Sequence, residues 1–279
     1  DLNNESRSQF VNDHTYIPYL KIFTPELKHN ELFISPSRFC RTTISKLTSS
    51  KVKYCPECIW EDYESFKECY LHRTHQLSFL DSCPKHHIPL ISEYQTCSAP
   101  FAFNHETFLL SEPQCRNGHE IQNLENSNQN QFSIFLLSEL RDVSSCLSPI
   151  ICSEVIFKVI SQILYVKGYK TDKSIKRTDL VSDLISYIPN DQLIRLGMPI
   201  NFNNKAPFST DILSGPNHVG VHPIFYLLLL IFLANSSSVK ELIQNQMKVI
   251  NNSQQNDVWQ CINSICPYFG NKTITKENG

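Results

Sequence analysis

Four residues in two short turns constrain this chain more than any other feature of its sequence. Cys55 and Cys58 stand in the run Cys55-Pro56-Glu57-Cys58, and Cys83 and His86 stand in Cys83-Pro84-Lys85-His86. Each pair has the two-residue interval at which a tight turn points both donors at one spot. Two such turns joined by a loop form the ligand pattern of a structural zinc site. Bonds of about 2.3 Å to sulfur and about 2.0 Å to nitrogen would close a tetrahedron with no open coordination position. The competing reading is two unrelated reduced cysteine pairs in a cysteine-rich chain. Zinc is the expectation.

The residues around these turns carry a family resemblance. Between them lie Glu61-Asp62, Tyr70, His72 and His75-Gln76-Leu77, and Pro89-Leu90 follows the second turn. This order resembles the zinc region of the TniQ/TnsD proteins, the target-site selectors of a class of transposons. Upstream, His14-Thr15-Tyr16-Ile17-Pro18-Tyr19 resembles the TnsD branch. So do His222-Pro223 with the apolar run Leu227 to Leu233, and the turn Cys261 to Cys266 followed by Pro267-Tyr268. The resemblance implies a helical N-terminal region ending near residue 50, a protein that binds an attachment site on double-stranded DNA, and an AAA+ ATPase regulator of the transposase as partner. In relatives a CRISPR effector complex guides the targeting instead. The resemblance also implies that His75 lies on the module's packing surface and not at the metal, and that this chain is a piece of a longer one.

Composition bounds the rest. With 279 residues and 41% apolar content the chain can bury a large core, in two or three units. A net charge of -2 gives no global attraction to nucleic acid, so any such binding must come from local patches. Eleven cysteines, several at metal-ligand intervals, fit thiolates in a reducing cytoplasmic compartment better than a disulfide framework. The longest apolar run, Ile224 to Ala234, is too short for a bilayer, which needs about 20 residues, so no membrane partner is expected.

The expected fold is mainly α, multi-domain, with a small zinc-ribbon or zinc-knuckle module. Its parts are the end of an N-terminal helical region (1–50), the zinc module (51–120), a polar linker (121–131), a helical domain (132–250) and the start of a further cysteine module (258–279). Phe132, Phe135, Leu136 and Leu140 recur at helical intervals, as do Ile156, Ile160, Ile163 and Leu164. Leu180, Leu184 and Tyr187 share a face of another helix, Pro223 opens an apolar one, and Ser238 caps the next. Asn190 to Gly197 reads as a short capped helix, and 198–221 as a long loop.

Two further groups have metal donors. Cys97, His105, Cys115 and His119 suit a second zinc, but no ligand follows Cys97 at ribbon spacing. One free cysteine beside a surface Cys–His turn is the other reading. Cys261 and Cys266 suit a partial site whose remaining ligands lie elsewhere.

Two basic segments are candidate phosphate contacts: Arg38, Arg41, Lys46, Lys51 and Lys53 ahead of the zinc module, and Lys167, Lys170, Lys173, Lys176 and Arg177 between two helices. The second also permits a helix-turn-helix. In both cases a solvated surface is the alternative.

Three functions compete. The resemblance implies a zinc-stabilised, DNA-binding target selector that recruits the transposition machinery. A protein-interaction adaptor that never reads DNA fits the near-neutral charge. A zinc hydrolase or deaminase does not fit, because that chemistry needs a three-ligand metal with an open water position and a correctly spaced H-x-E.

Overall fold

The computed structural model of the chain describes residues 4–23, 47–101, 110, 112–115, 117–122, 124, 131–146, 153–188, 193, 223–256, 258–260 and 272–275. Arg38, Arg41, Lys46, His105, Cys261 and Cys266 lie outside these residues, as do the loop 198–221 and all of the short helix expected near 190 except Leu193. Among the described residues, eight α-helices precede one small hairpin: α1 (Asn4–His14), α2 (Ile17–Lys21), α3 (Pro56–Phe66), α4 (Gln131–Cys146), α5 (Ser153–Val166), α6 (Arg177–Tyr187), α7 (Pro223–Ala234) and α8 (Val239–Asn256). The hairpin pairs β1 (Val258–Gln260) antiparallel with β2 (Lys272–Thr275), Trp259 opposite Ile274. Mainly helical is therefore the observed class.

α7 sits at the centre of the helical body. Every residue from Ile224 to Ile231 is buried, so the helix is wrapped on all sides, as an all-apolar helix in water must be. It packs on α5, α6 and α8, and α8 in turn packs on α4 and α5. The buried carboxylate of Glu139 on α4 accepts the Val239 N–H at 3.0 Å, and Ser238 Oγ accepts the Glu241 N–H at 3.2 Å. Both satisfy donors that the start of α8 would otherwise leave open. Leu136, Leu140, Ile156, Ile160, Ile163 and Leu164 are buried as their spacing predicts. Phe135 differs: it is 43% exposed, because Leu137 and not Phe135 completes the inward stripe of α4.

Tyr19, Leu20 and Phe23 share one apolar cluster with Leu136, Leu140, Phe157 and Tyr226, and Leu47, Leu77, Phe79 and Leu80 of the cysteine-rich region belong to it too. Arg73 ties the parts together. Its guanidinium donates to Asn12 O at 2.6 Å and to Thr15 O, and lies over the Tyr19 ring. Ile121 is 2% exposed, and its carbonyl accepts the Trp60 indole N–H at 3.0 Å.

No single helix among the described residues is long and apolar enough to cross a membrane, and the pair α7 and α8 bends by 76° at its break.

Candidate metal centre

Cys55 has extended backbone and stands as the N-cap of α3, Pro56 takes the first turn, and Cys58 follows within that turn. Proline is preset for this position and its missing N–H costs nothing there. Both sulfurs thus sit at the N-terminal end of a helix, where free N–H groups and the dipole favour anionic thiolates. The second pair comes from a hairpin-like turn. Cys83 N–H bonds Ile88 O at 2.8 Å, His87 N–H bonds Cys83 O at 2.9 Å, and Ser82 pairs with Pro89. Within it the N–H groups of Lys85 and His86 each approach the Cys83 sulfur at 3.4 Å.

These two turns bring the four donors together. His86 Nδ1 is 3.3 Å from both Cys55 Sγ and Cys58 Sγ and 3.9 Å from Cys83 Sγ, and the Cys58 and Cys83 sulfurs are 3.8 Å apart. Bond lengths of about 2.3 and 2.0 Å at tetrahedral angles require edges of about 3.5–3.8 Å, so the donors already lie near the vertices zinc would need. Their charges point the same way. Hydrogen bonds from Cys55 and Cys58 hold the Cys83 thiol far below its usual range, while those to Cys55 and Cys83 drive Cys58 far above it. A divalent cation is what allows three buried sulfurs at this spacing to be anionic together. The Cys3His cluster is compatible with a zinc site.

Carboxylates support the imidazole from behind. His86 Nε2 lies 3.1 Å from Glu61 Oε1 and 3.9 Å from Glu57 Oε2, so its proton sits on Nε2 and Nδ1 turns its lone pair to the sulfurs. Glu61 also accepts from Lys85 Nζ, and these two partners, Lys85 first, hold its carboxyl below the usual range. Sequence reasoning gave Glu57 and Glu61 no role. Their interval of four on α3, flanking Cys58, was the available signal. His75 is buried and is not one of the four donors, but its Nε2 lies 4.0 Å from Cys58 Sγ.

The second group is only partly assembled. Cys97, Cys115 and His119 converge to within 4.8 Å, with Cys115 Sγ and His119 Nδ1 3.3 Å apart. The turn 94–99 repeats the form of 83–88: Tyr94 N–H bonds Ala99 O, Ser98 N–H bonds Tyr94 O, and Glu93 pairs with Pro100. Cys97 occupies the place of His86, and Tyr94 the place of Cys83. The partner sought after Cys97 would therefore belong three residues before it, where a tyrosine instead donates to Gln114 O at 3.1 Å.

The basic residues separate. Lys51 is exposed. Lys53, expected as a phosphate contact, faces inward: its Nζ donates to Leu77 O at 2.7 Å and Leu80 O at 2.5 Å, and burial pushes its ammonium down to about 8. With those donors committed it is a half-buried clasp and not a free cation. Between α5 and α6 the chain forms a tight turn, with Lys170 paired to Ile175 and the Lys176 N–H bonded to Tyr169 O. Lys167, Lys173 and Lys176 are exposed on it, whereas Lys170 is half-buried with its Nζ on Ser161, and Arg177 is half-buried in the first turn of α6. A connection running from 167 to 176 is far longer than the three or four residues of a helix-turn-helix.

Comparison with known families bears on this region. Residues 5–90 match the TniQ family model. TniQ domains are transposition-associated, and the matched stretch holds all four donors of the first cluster. A search of curated proteins gives no match.

Proposed function

We propose that this protein is a zinc-stabilised, DNA-binding target-site selector of a transposon, which recognises an attachment site and recruits an AAA+ ATPase regulator and the transposase to it. One observation carries the reading: the residues that match TniQ are the residues whose turns gather Cys55, Cys58, Cys83 and His86 into a zinc-sized tetrahedron. These four would hold zinc as a staple. Four protein donors leave no position for an activated water, so the metal's part is structural and the protein is not an enzyme. Cys97, Cys115 and His119, with His105 as the remaining donor in the sequence, would hold a second ion. The ammonium groups of Lys167, Lys173 and Lys176 would grip the phosphate backbone of double-stranded DNA.

Reversing Lys167, Lys173 and Lys176 to Glu tests the DNA assignment. Binding should weaken for all sequences alike, and the salt slope should fall by about one unit for each phosphate that is no longer neutralised. Unchanged affinity and slope would favour the second reading, an adaptor that links a CRISPR effector complex to the transposition machinery. That reading has its own observation. Phe66, 62% exposed, meets Tyr70 edge to face, and Leu71 beside them is also exposed, an apolar group suited to a protein partner.

A further inference from the structure

The three sulfurs of the first cluster differ in what stabilises them from outside the donor set. Cys55 caps the N-terminus of α3, and Cys83 receives the backbone N–H groups of Lys85 and His86. Cys58 is reached by a side chain, the ring of His75, whose Nε2 stands 4.0 Å from its sulfur. His75 is 3% exposed, and its Nδ1 has no partner among the described residues. That orphan settles the tautomer. A proton on Nδ1 would bury an unpaired N–H and set the Nε2 lone pair against sulfur lone pairs. A proton on Nε2 leaves only an acceptor unpaired and aims a donor at the Cys58 thiolate.

The fold holds the ring in place. His75 lies in a short 3-10 turn, Arg73–Gln76, closed by its own N–H to His72 O at 3.0 Å. The next side chain, Gln76, clamps the Lys53 backbone through both its amide atoms, and the His72 ring, 4.9 Å away, is anchored to Asp62 on α3 at 2.7 Å. Zinc with three thiolates and a neutral imidazole carries a net charge of about -1, which a buried site must offset with oriented donors.

We propose that His75 is a positioning residue of the metal centre: its Nε2–H donates to the Cys58 thiolate, drains its charge, and so slows its reaction and its release of the metal. This rests on the zinc reading above. Partners beyond the ligand set change metal affinity by about 10–100-fold, and a long N–H···S contact belongs near the lower limit.

The test uses the full chain loaded with cobalt(II), whose thiolate-to-metal charge-transfer band reports electron density on sulfur. His75→Phe fills the space without a donor, and His75→Gln places an amide N–H where Nε2 stands. The Phe variant should shift the band to longer wavelength and lose metal to a chelator about tenfold faster, and the Gln variant should restore both. A fully loaded Phe variant with an unmoved band and rate, or Phe and Gln variants that behave alike, would overturn the inference. Should the Phe variant not fold, ring 15N shifts of the zinc-loaded wild-type protein decide: Nε2 protonated supports it and Nδ1 protonated overturns it. A wild-type chain that takes up neither cobalt nor zinc would overturn the zinc reading together with this one.

Discussion

The two metal-ligand clusters are built from the same kind of turn and end with different contents. At 83–88 the first and fourth positions carry Cys83 and His86; at 94–99 the same positions carry Tyr94 and Cys97. The first cluster therefore completes four donors, backs its imidazole with Glu61, and belongs to a region whose Leu77 and Leu80 join the main core. The second gathers three donors among the described residues over a small cluster of its own, built from Tyr54, Tyr94, Phe101, Leu110 and Ile121. The turn is a scaffold that backbone hydrogen bonds specify. Which side chains it presents decides whether the region offers a metal its donors or is held by aromatic packing.

The sharpest way to break this comparison is to remove one donor from each cluster. Cys58→Ser should leave the chain insoluble or open to protease, because structural zinc in small modules supplies roughly 10–16 kcal/mol of apparent binding free energy, most of it folding energy. Zinc-free protein that stays soluble and protease-resistant would remove the zinc reading. Cys115→Ser should give folded protein with one zinc fewer than the wild type, since the local apolar cluster remains. A chelator titration of the wild type should release metal in two steps, the second cluster's first. Equal zinc content in Cys115→Ser and wild type would leave the second group a plain Cys–His turn.

Much of this was legible in the sequence, for physical reasons that also mark where legibility stopped. The C-x2-C and C-x2-H intervals are local, and local turns keep the same geometry in most contexts. The same holds for the 3.6-residue period of α4 and α5 and for Pro223 opening α7. Lys53 could not be read, because an exposed and a half-buried lysine look alike until Leu77 and Leu80 are known to turn their carbonyls to it. His75 was hidden likewise, since its approach to Cys58 depends on how the 3-10 turn packs on α3. The core that Tyr19, Leu20 and Phe23 share with Leu136, Phe157 and Tyr226 was hidden by the length of sequence between them. Motif spacing records what neighbours in the chain do, and these contacts are made by distant ones.

The attachment of the first cluster to the helical core offers a smaller and more specific test. Lys53 leads directly into Cys55, and its half-buried ammonium has a value near 8 in the folded protein against an ordinary 10.5. Between those two values the unfolded chain holds more protons than the folded one, so folded stability should rise as pH climbs from about 8 towards 10.5. At neutral pH the half-buried charge costs on the order of 3 kcal/mol relative to a fully solvated ammonium. Denaturant midpoints measured at about pH 7.5 and pH 9.5 should therefore differ more in wild type than in Lys53→Met, which has nothing to titrate there. Thiols and other groups that titrate in this window contribute equally to both proteins and cancel in the comparison. Parallel pH profiles would mean that the Leu77 and Leu80 carbonyls fully stabilise the charge, and that the clasp is insensitive to pH.

The smallest effect concerns the left-handed residue that each turn needs. In 83–88 it is His87 at φ 61°, in 94–99 it is Ser98 at φ 53°, and in the Cys115 turn it is Gly118 at φ 78°. A side chain in this conformation costs about 1–2 kcal/mol, and replacing it with glycine returns about 0.4–1 kcal/mol to the unfolded chain's entropy. His87→Gly should then stabilise the first turn by up to about 1 kcal/mol, since His87 is exposed and is not one of the four donors. Gly118→Ala meets no atom within 4 Å, so strain alone should make it destabilising by a similar amount. The two changes should move thermal midpoints in opposite directions, and Gly118→Ala should also make zinc easier to remove from the second cluster. Shifts of the same sign would show that the left-handed position is not what the three turns share. The common geometry would then have to come from the flanking pairs Ser82 with Pro89, Glu93 with Pro100 and Gln114 with Glu120.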